Sequence, residues 1–143
     1  MQETWRWFGP ADTVTLQQIR QAGASGVVTA LDHIKTGDIW PLEEIKTRQT
    51  LLTQNGLEWT VVESVPVHQD VKLRNGNYQA YINNYRQSLI NLGERGIKRV
   101  CYNFMPVVDW TRTNLNFELE NSSSALRFEM SDFIAYDIHI LER

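Results

Sequence analysis

Three times along the chain an amphipathic stretch closes on a glycine and a short apolar run follows. Gly23 precedes Val27, Val28, Ala30 and Leu31; Gly56 precedes Trp59, Val61 and Val62; Gly96 precedes Val100, Cys101 and Tyr102. A glycine just past a helix accepts the left-handed backbone that other residues resist, so each marks a helix end and a turn into a strand. The spacing of these glycines is that of successive βα units. Helices are predicted near 13–21, with Leu16 and Ile19 inward, and over 41–53, opened by Pro41. In the second, Leu42, Ile45, Leu51 and Leu52 form a partial stripe, and Glu43, Glu44, Lys46 and Arg48 are expected to face water. A third, over 78–92, carries Tyr78, Tyr81, Ile82, Tyr85, Leu89 and Leu92 at steps of three and four.

A strand near 4–8 opens the chain, and alternation over 115–119 and 126–130 around Ser122, Ser123 and Ser124 predicts a β-hairpin. A last helix, from Ser131 or Asp132, is expected to bury Phe133, Ile134, Ile138 and Leu141. The sum is four parallel strands, near 4–8, 26–31, 59–63 and 99–103, side by side in sequence order with helices outside, because crossovers between parallel strands are right-handed.

Composition narrows the partners. The chain has 143 residues, 42% hydrophobic and 22% charged, which suits one domain with a core. A net charge of −3 with scattered lysines and arginines argues against nucleic acid. No apolar run approaches the roughly 20 residues that span a bilayer, and no signal segment opens the chain, so neither membrane insertion nor secretion is expected. A single cysteine cannot form an internal disulfide, in keeping with a cytoplasmic location.

The run from Arg99 to Thr113 is the richest in chemistry. A β-branched and aromatic strand stops at Pro106, around which stand Asn103, Asp109, Trp110, Thr111, Arg112 and Thr113. Amide, carboxylate, indole, hydroxyl and guanidinium gathered at a strand end are the marks of a functional loop. This run resembles the bacterial mannonate dehydratases, sugar-acid lyases of the divalent-metal TIM-barrel group. So do Thr4-Trp5-Arg6-Trp7-Phe8-Gly9-Pro10, the segment from Gly26 to Leu31, and the segment from Val61 to His68. The resemblance covers the whole chain.

The resemblance implies an α/β fold, the N-terminal half of a (β/α)8 TIM barrel, with 1–143 a single partial domain of four βα units and a hairpin insertion at about 115–130. A full barrel needs about 250 residues. The chain therefore reads as a fragment, expected to be inactive alone and to self-associate or pair with a complementary half. The interior faces of Val27, Thr29, Val61, Val62 and Cys101 would then lack half their packing partners. The implied reaction is dehydration of D-mannonate to 2-keto-3-deoxy-D-gluconate. The implied cofactor is Mn2+ or Fe2+, held by a cysteine, histidines and an aspartate from later strands that have no counterpart here; no metal ligand is assigned in this chain. Alternatives are a sugar isomerase or epimerase of the same architecture, and a non-catalytic half-barrel assembly module.

In such a barrel the reacting groups sit where strands end. That rule selects Asn103, Asp109, Trp110 and Arg112 as substrate-binding candidates: Arg112 has the fork that suits a carboxylate, Asp109 can hold it or bind hydroxyls, and Trp110 offers an apolar face. His33 and His68 follow the second and third strands and are candidates as well, against a reading as surface or structural residues. Glu63 ends the third strand. Cys101 is as readily packed as ligating, and His139, within the last helix, reads as structural.

Overall fold

The computed structural model describes residues 1–105 and 111–142, in two compact units, 1–104 and 105–143. In the first, strands β1 (Thr4–Arg6), β2 (Gly26–Thr29) and β3 (Glu58–Val62) form a parallel sheet in the order β1-β2-β3. The fourth predicted strand is reduced to one parallel bridge, Val62 to Val100, made by Val62 N–H donating to Arg99 O and Cys101 N–H donating to Val62 O. A strand held on one side only, at the edge of a sheet, has few bonds to keep it in register, and after Cys101 the chain leaves the ladder.

Helix α1 (Leu16–Gln21) starts three residues later than predicted because the polar residues before it make a cap. Thr15 Oγ1 accepts from Gln18 N–H and Gln18 Oε1 accepts from Thr15 N–H, a reciprocal capping box. Helix α2 (Leu42–Gln54) has Pro41 as its N-cap, with extended backbone. A short helix, α3 (Gln69–Leu73), forms where no element was expected, capped by the His68 side chain and stopped by Arg74 at φ 51°. Helix α4 (Tyr78–Glu94) runs as predicted, yet its buried residues are Ser88, Asn91 and Leu92, while Ile82 and Leu89 are exposed.

The core lies between the sheet and the helices and holds Trp7, Ile19, Val27, Ile45, Leu52, Trp59, Val62 and Leu92. Of the two tryptophans on β1, Trp7 is the buried one and Trp5 is exposed. Val27, Thr29 and Val62 are fully buried on the helix side, so they do not lack partners. Alternation then turns Val28 to the other face, together with its register partners Arg6 and Val61. An irregularity opposite Val27 and Val28 leaves Thr60 unpaired between Trp59 and Val61.

The second unit is an antiparallel hairpin of β4 (Asn114–Glu118) and β5 (Ser124–Arg127), followed by α5 (Met130–His139). The hairpin forms as expected, but its second strand lies earlier than 126–130, ending at Arg127, because Met130 already belongs to α5. Ser122, at φ 62°, makes its turn, and Asn121 Oδ1 accepts from Ser123 N–H. The final helix buries nothing fully: Ile134, Ile138 and Leu141 are exposed, against expectation, and Phe133 is only partly covered, by Phe128. Four apolar residues on one helix and two alternating strands do not suffice to enclose a core in so short a unit. No helix among the described residues is long and apolar enough to cross a membrane.

Candidate functional site

Parallel α/β sheets bind ligands at the carboxyl ends of their strands, where the loops entering the following helices converge. At that end lies a cleft of about 290 Å³, bounded by Gly37 from the loop after β2, by Val65 to His68 from the loop after β3, by Tyr81 and Tyr85 of α4, and by Tyr102. Its floor is Val65, buried in the segment Ser64-Val65-Pro66 that carries β3 into the loop.

His68 is fixed in this cleft from two directions. Its ring stacks on Tyr81 at 3.7 Å between centroids and 17° between planes, and its Nδ1 accepts the Asp70 N–H at 3.1 Å. A nitrogen that accepts a backbone N–H carries no proton, so Nδ1 serves as the ring's acceptor, with the Asp70 carboxylate 3.7 Å away, and Nε2 as its donor. Gly37 stands against the same ring pair: at φ +96° its backbone is left-handed, and a Cβ would come within 2.6 Å of Tyr81 and 3.0 Å of His68. Burial, and after it the neighbouring Tyr102, raise the Tyr85 pKa above the ordinary phenol value, so its hydroxyl stays protonated.

The loop from Gly37 to Trp40 is held by polar residues on one side of α4. Asn84 Nδ2 donates to Gly37 O, Ser88 Oγ accepts from Trp40 N–H, and Asn91 Nδ2 donates to Trp40 O, at 2.9, 3.0 and 2.8 Å. These residues recur at helical spacing, which explains why the buried face of α4 is partly polar: it satisfies the backbone of a loop that ends on the buried Trp40.

Within the first unit the sequence candidates His33, His68 and Asn103 stand in different surroundings. His33 is exposed and meets Glu44 at 3.0 Å, where it links the loop after β2 to α2. Asn103 is half-buried beyond the bridge at Val100, and Cys101 is exposed. Arg112, in the second unit, donates from Nη1 to Thr111 O at 2.7 Å. Asp109 and Trp110 lie outside the described residues. Glu63 lies 3.6 Å from Arg6, a residue that sequence reasoning left without a role.

Arg48 corrects the expectation of an exposed charge. It is 6% exposed. Its Nη1 donates to Thr29 Oγ1 at 3.1 Å and to Ala30 O at 2.8 Å, and the guanidinium lies 5.2 Å from the Trp7 ring centroid. Burial lowers its pKa, while Asp32 and Glu44 raise it. Gly9, at φ +98°, lies beside the same guanidinium, which a Cβ there would meet at 3.5 Å. One buried cation therefore ties α2 to the ends of β1 and β2. The signal was present: Ile45, Arg48 and Leu52 share one helical stripe, and Arg48 belongs to its apolar face by position. Asp12 closes the loop after β1 by accepting from Phe8 N–H and Val14 N–H, and these two bonds hold its carboxyl below the usual aspartate range.

Residues 1–143 match the family model described as D-mannonate dehydratase (UxuA). The whole chain is 61% identical to the mannonate dehydratase of Saccharophagus degradans and 59% identical to that of Marinomonas sp. strain MWYL1, spanning 36% and 37% of their lengths. It is also similar to the crystal structure of mannonate dehydratase from Streptococcus suis serotype 2, with a TM-score of 0.91 and 44% identity over 99% of this chain and 41% of that one.

Proposed function

The chain belongs to the mannonate dehydratase family, and from that premise we propose that it is the N-terminal part of an enzyme that dehydrates D-mannonate to 2-keto-3-deoxy-D-gluconate, a carbon–oxygen lyase. The observation that carries this reading is the match of one family over residues 1–143, at 61% identity to a protein of that name. The architecture of the proposed parent is a (β/α)8 TIM barrel to which this chain contributes the first βα units. Three parallel strands in sequence order with helices between them support that architecture.

Elimination of water from a sugar acid needs a base for the proton α to the carboxylate, an acid for the departing hydroxyl and stabilisation of the charge between them. This chain supplies groups suited to binding and orientation. The cleft presents the His68 Nε2–H and the Tyr81, Tyr85 and Tyr102 rings, which suit the hydroxyls and apolar ring or chain faces of a sugar acid. Asn103 and Arg112 remain proposed contacts from the loop that follows, together with Asp109 and Trp110; His33 is proposed only as a support for α2.

The divalent ion, Mn2+ or Fe2+, is part of the proposal for the parent enzyme. Among the described residues no three His, Cys, Asp or Glu side chains come together to hold a metal ion, so the described residues do not fit one and no step is assigned through it. Its ligands would come from the rest of the longer protein. A cytoplasmic location is proposed with the activity, supported by an exposed free thiol at Cys101.

The test is product analysis with the full-length protein and D-mannonate. A keto-deoxy acid supports the dehydratase. A rearranged sugar places the protein among the isomerases, and no turnover with a folded, metal-loaded protein leaves the assembly-module reading.

A further inference from the structure

The face of the sheet turned away from the helices carries Arg6, Val28, Val61 and, just past β3, Glu63, and Arg6 and Glu63 meet across the central strand. Arg6 Nη1 donates to Trp7 O at 2.7 Å and reaches Val28 O at 3.4 Å, and its guanidinium rests 4.4 Å from the Phe8 ring centroid. Its Nε lies 3.6 Å from Glu63 Oε2, past hydrogen-bond reach, with the side chains 29% and 37% exposed. Among the described residues Nη2 has no acceptor. A long pair this open to water contributes little to stability, so stability alone does not account for a guanidinium held at the carboxyl end of β1 with one edge of its fork unused.

We infer that Arg6 receives the carboxylate of the sugar-acid substrate on this face of the sheet. The inference rests on the proposed dehydratase reading and deepens it. Two backbone carbonyls and the Phe8 ring hold the guanidinium plane in position, and the unused Nη2 edge together with Nε offers the parallel donors that a carboxylate accepts as a pair. Glu63 stands beside it as an acceptor-only group, suited to the hydroxyls of the same ligand rather than to its acid end. The loop after β1, fixed by Asp12 and by Arg48 beneath Gly9, keeps Phe8 under the guanidinium.

The experiment uses the full-length protein and compares D-mannonate with its neutral amide, D-mannonamide, by calorimetric binding, alongside kcat and KM for the acid. The parent protein should prefer the acid by about 10- to 100-fold, the span of a charge-assisted pair. Arg6→Gln should bring that ratio near one and raise KM more than it lowers kcat. Arg6→Lys should fall between, because an ammonium keeps the charge and loses the fork. A purely structural role would lower the thermal midpoint of Arg6→Gln and leave the acid-to-amide ratio of the folded fraction unchanged, which overturns the inference. If Arg6→Gln does not fold, an unchanged ratio in Arg6→Lys does the same. Absence of turnover by the parent protein overturns the proposed function and this inference with it, whereas turnover with an unaltered ratio in the variants overturns the inference alone.

Discussion

A guanidinium taken out of water stays charged only where the protein replaces the hydrogen bonds that water made. Arg48 meets that condition with Thr29 Oγ1, Ala30 O and the Trp7 face, and two carboxylates, Asp32 and Glu44, oppose the effect of burial on its pKa. Arg48→Leu keeps the apolar stem and removes the donors, so Ala30 O loses its charged partner. We expect a loss of about 1.5–3 kcal/mol, the range for hydrogen bonds to a charged group, read as a lower urea midpoint at unchanged slope. Asp12 supports a second expectation. Its pKa in the folded state is depressed by the Phe8 and Val14 N–H groups, so its contribution to stability is present above the ordinary aspartate value and is lost as pH falls through the lower folded value. Asp12→Asn should therefore flatten the acid limb of a plot of thermal midpoint against pH, and an unchanged limb would show that other carboxylates set it.

At the scale of elements, α4 does the most to shape the cleft. Its Asn84, Ser88 and Asn91 hold the loop that bears Gly37 and Trp40, and its Tyr81 holds His68. Ser88→Ala leaves the Trp40 N–H buried without an acceptor, at a cost of about 1–3 kcal/mol, which chemical denaturation of the variant would measure. Gly37→Ala should be costlier for the site than for the fold. A methyl group there meets the Tyr81 ring at 2.6 Å on a backbone at φ +96°, so the ring pair must part. The measurement is the His68 imidazole resonance by NMR, expected to lose the ring-current shift from the stacked Tyr81. The elements themselves follow from local chemistry, as α1 shows: its start depends on Thr15 and Gln18, three residues apart in the chain. The fourth strand is different, since a ladder needs a neighbour on the far side and local propensity for extension does not supply one.

For the whole molecule, exposed apolar side chains lead to a further expectation. Tyr102 and Phe104 in the first unit, and Leu115, Leu126, Ile138 and Ile140 in the second, are all exposed. Apolar surface of this kind promotes association. The isolated 143-residue chain should sediment as species whose mass grows with concentration and should bind a hydrophobic dye; a concentration-independent monomer without dye binding would show that the chain covers these residues itself. The same chain, which spans 36–41% of the relatives it matches, should not turn over D-mannonate, and product formation by the purified 143-residue chain would place the whole reaction within it.

The first three strands and their parallel sense, the helices between them and the hairpin were legible in the sequence, because glycine caps, alternation and helical spacing act over a few neighbours, whereas α3 and the loss of the fourth strand were not. The family resemblance was legible for the same reason, carried by short contiguous runs such as the one from Thr4 to Pro10. Which polar residues turn inward was decided only by the tertiary structure. Arg48 lies on an apolar stripe and Ser88 and Asn91 on a mixed one, and their burial depends on backbone carbonyls and N–H groups of loops that are distant in the chain. His33 and His68 are equivalent as letters, yet one is exposed beside Glu44 and the other stacked on Tyr81. Arg6 drew no assignment until strand register set it across β2 from Glu63. A charge acquires its role from the partners that folding brings to it, and those partners are not its neighbours in the sequence.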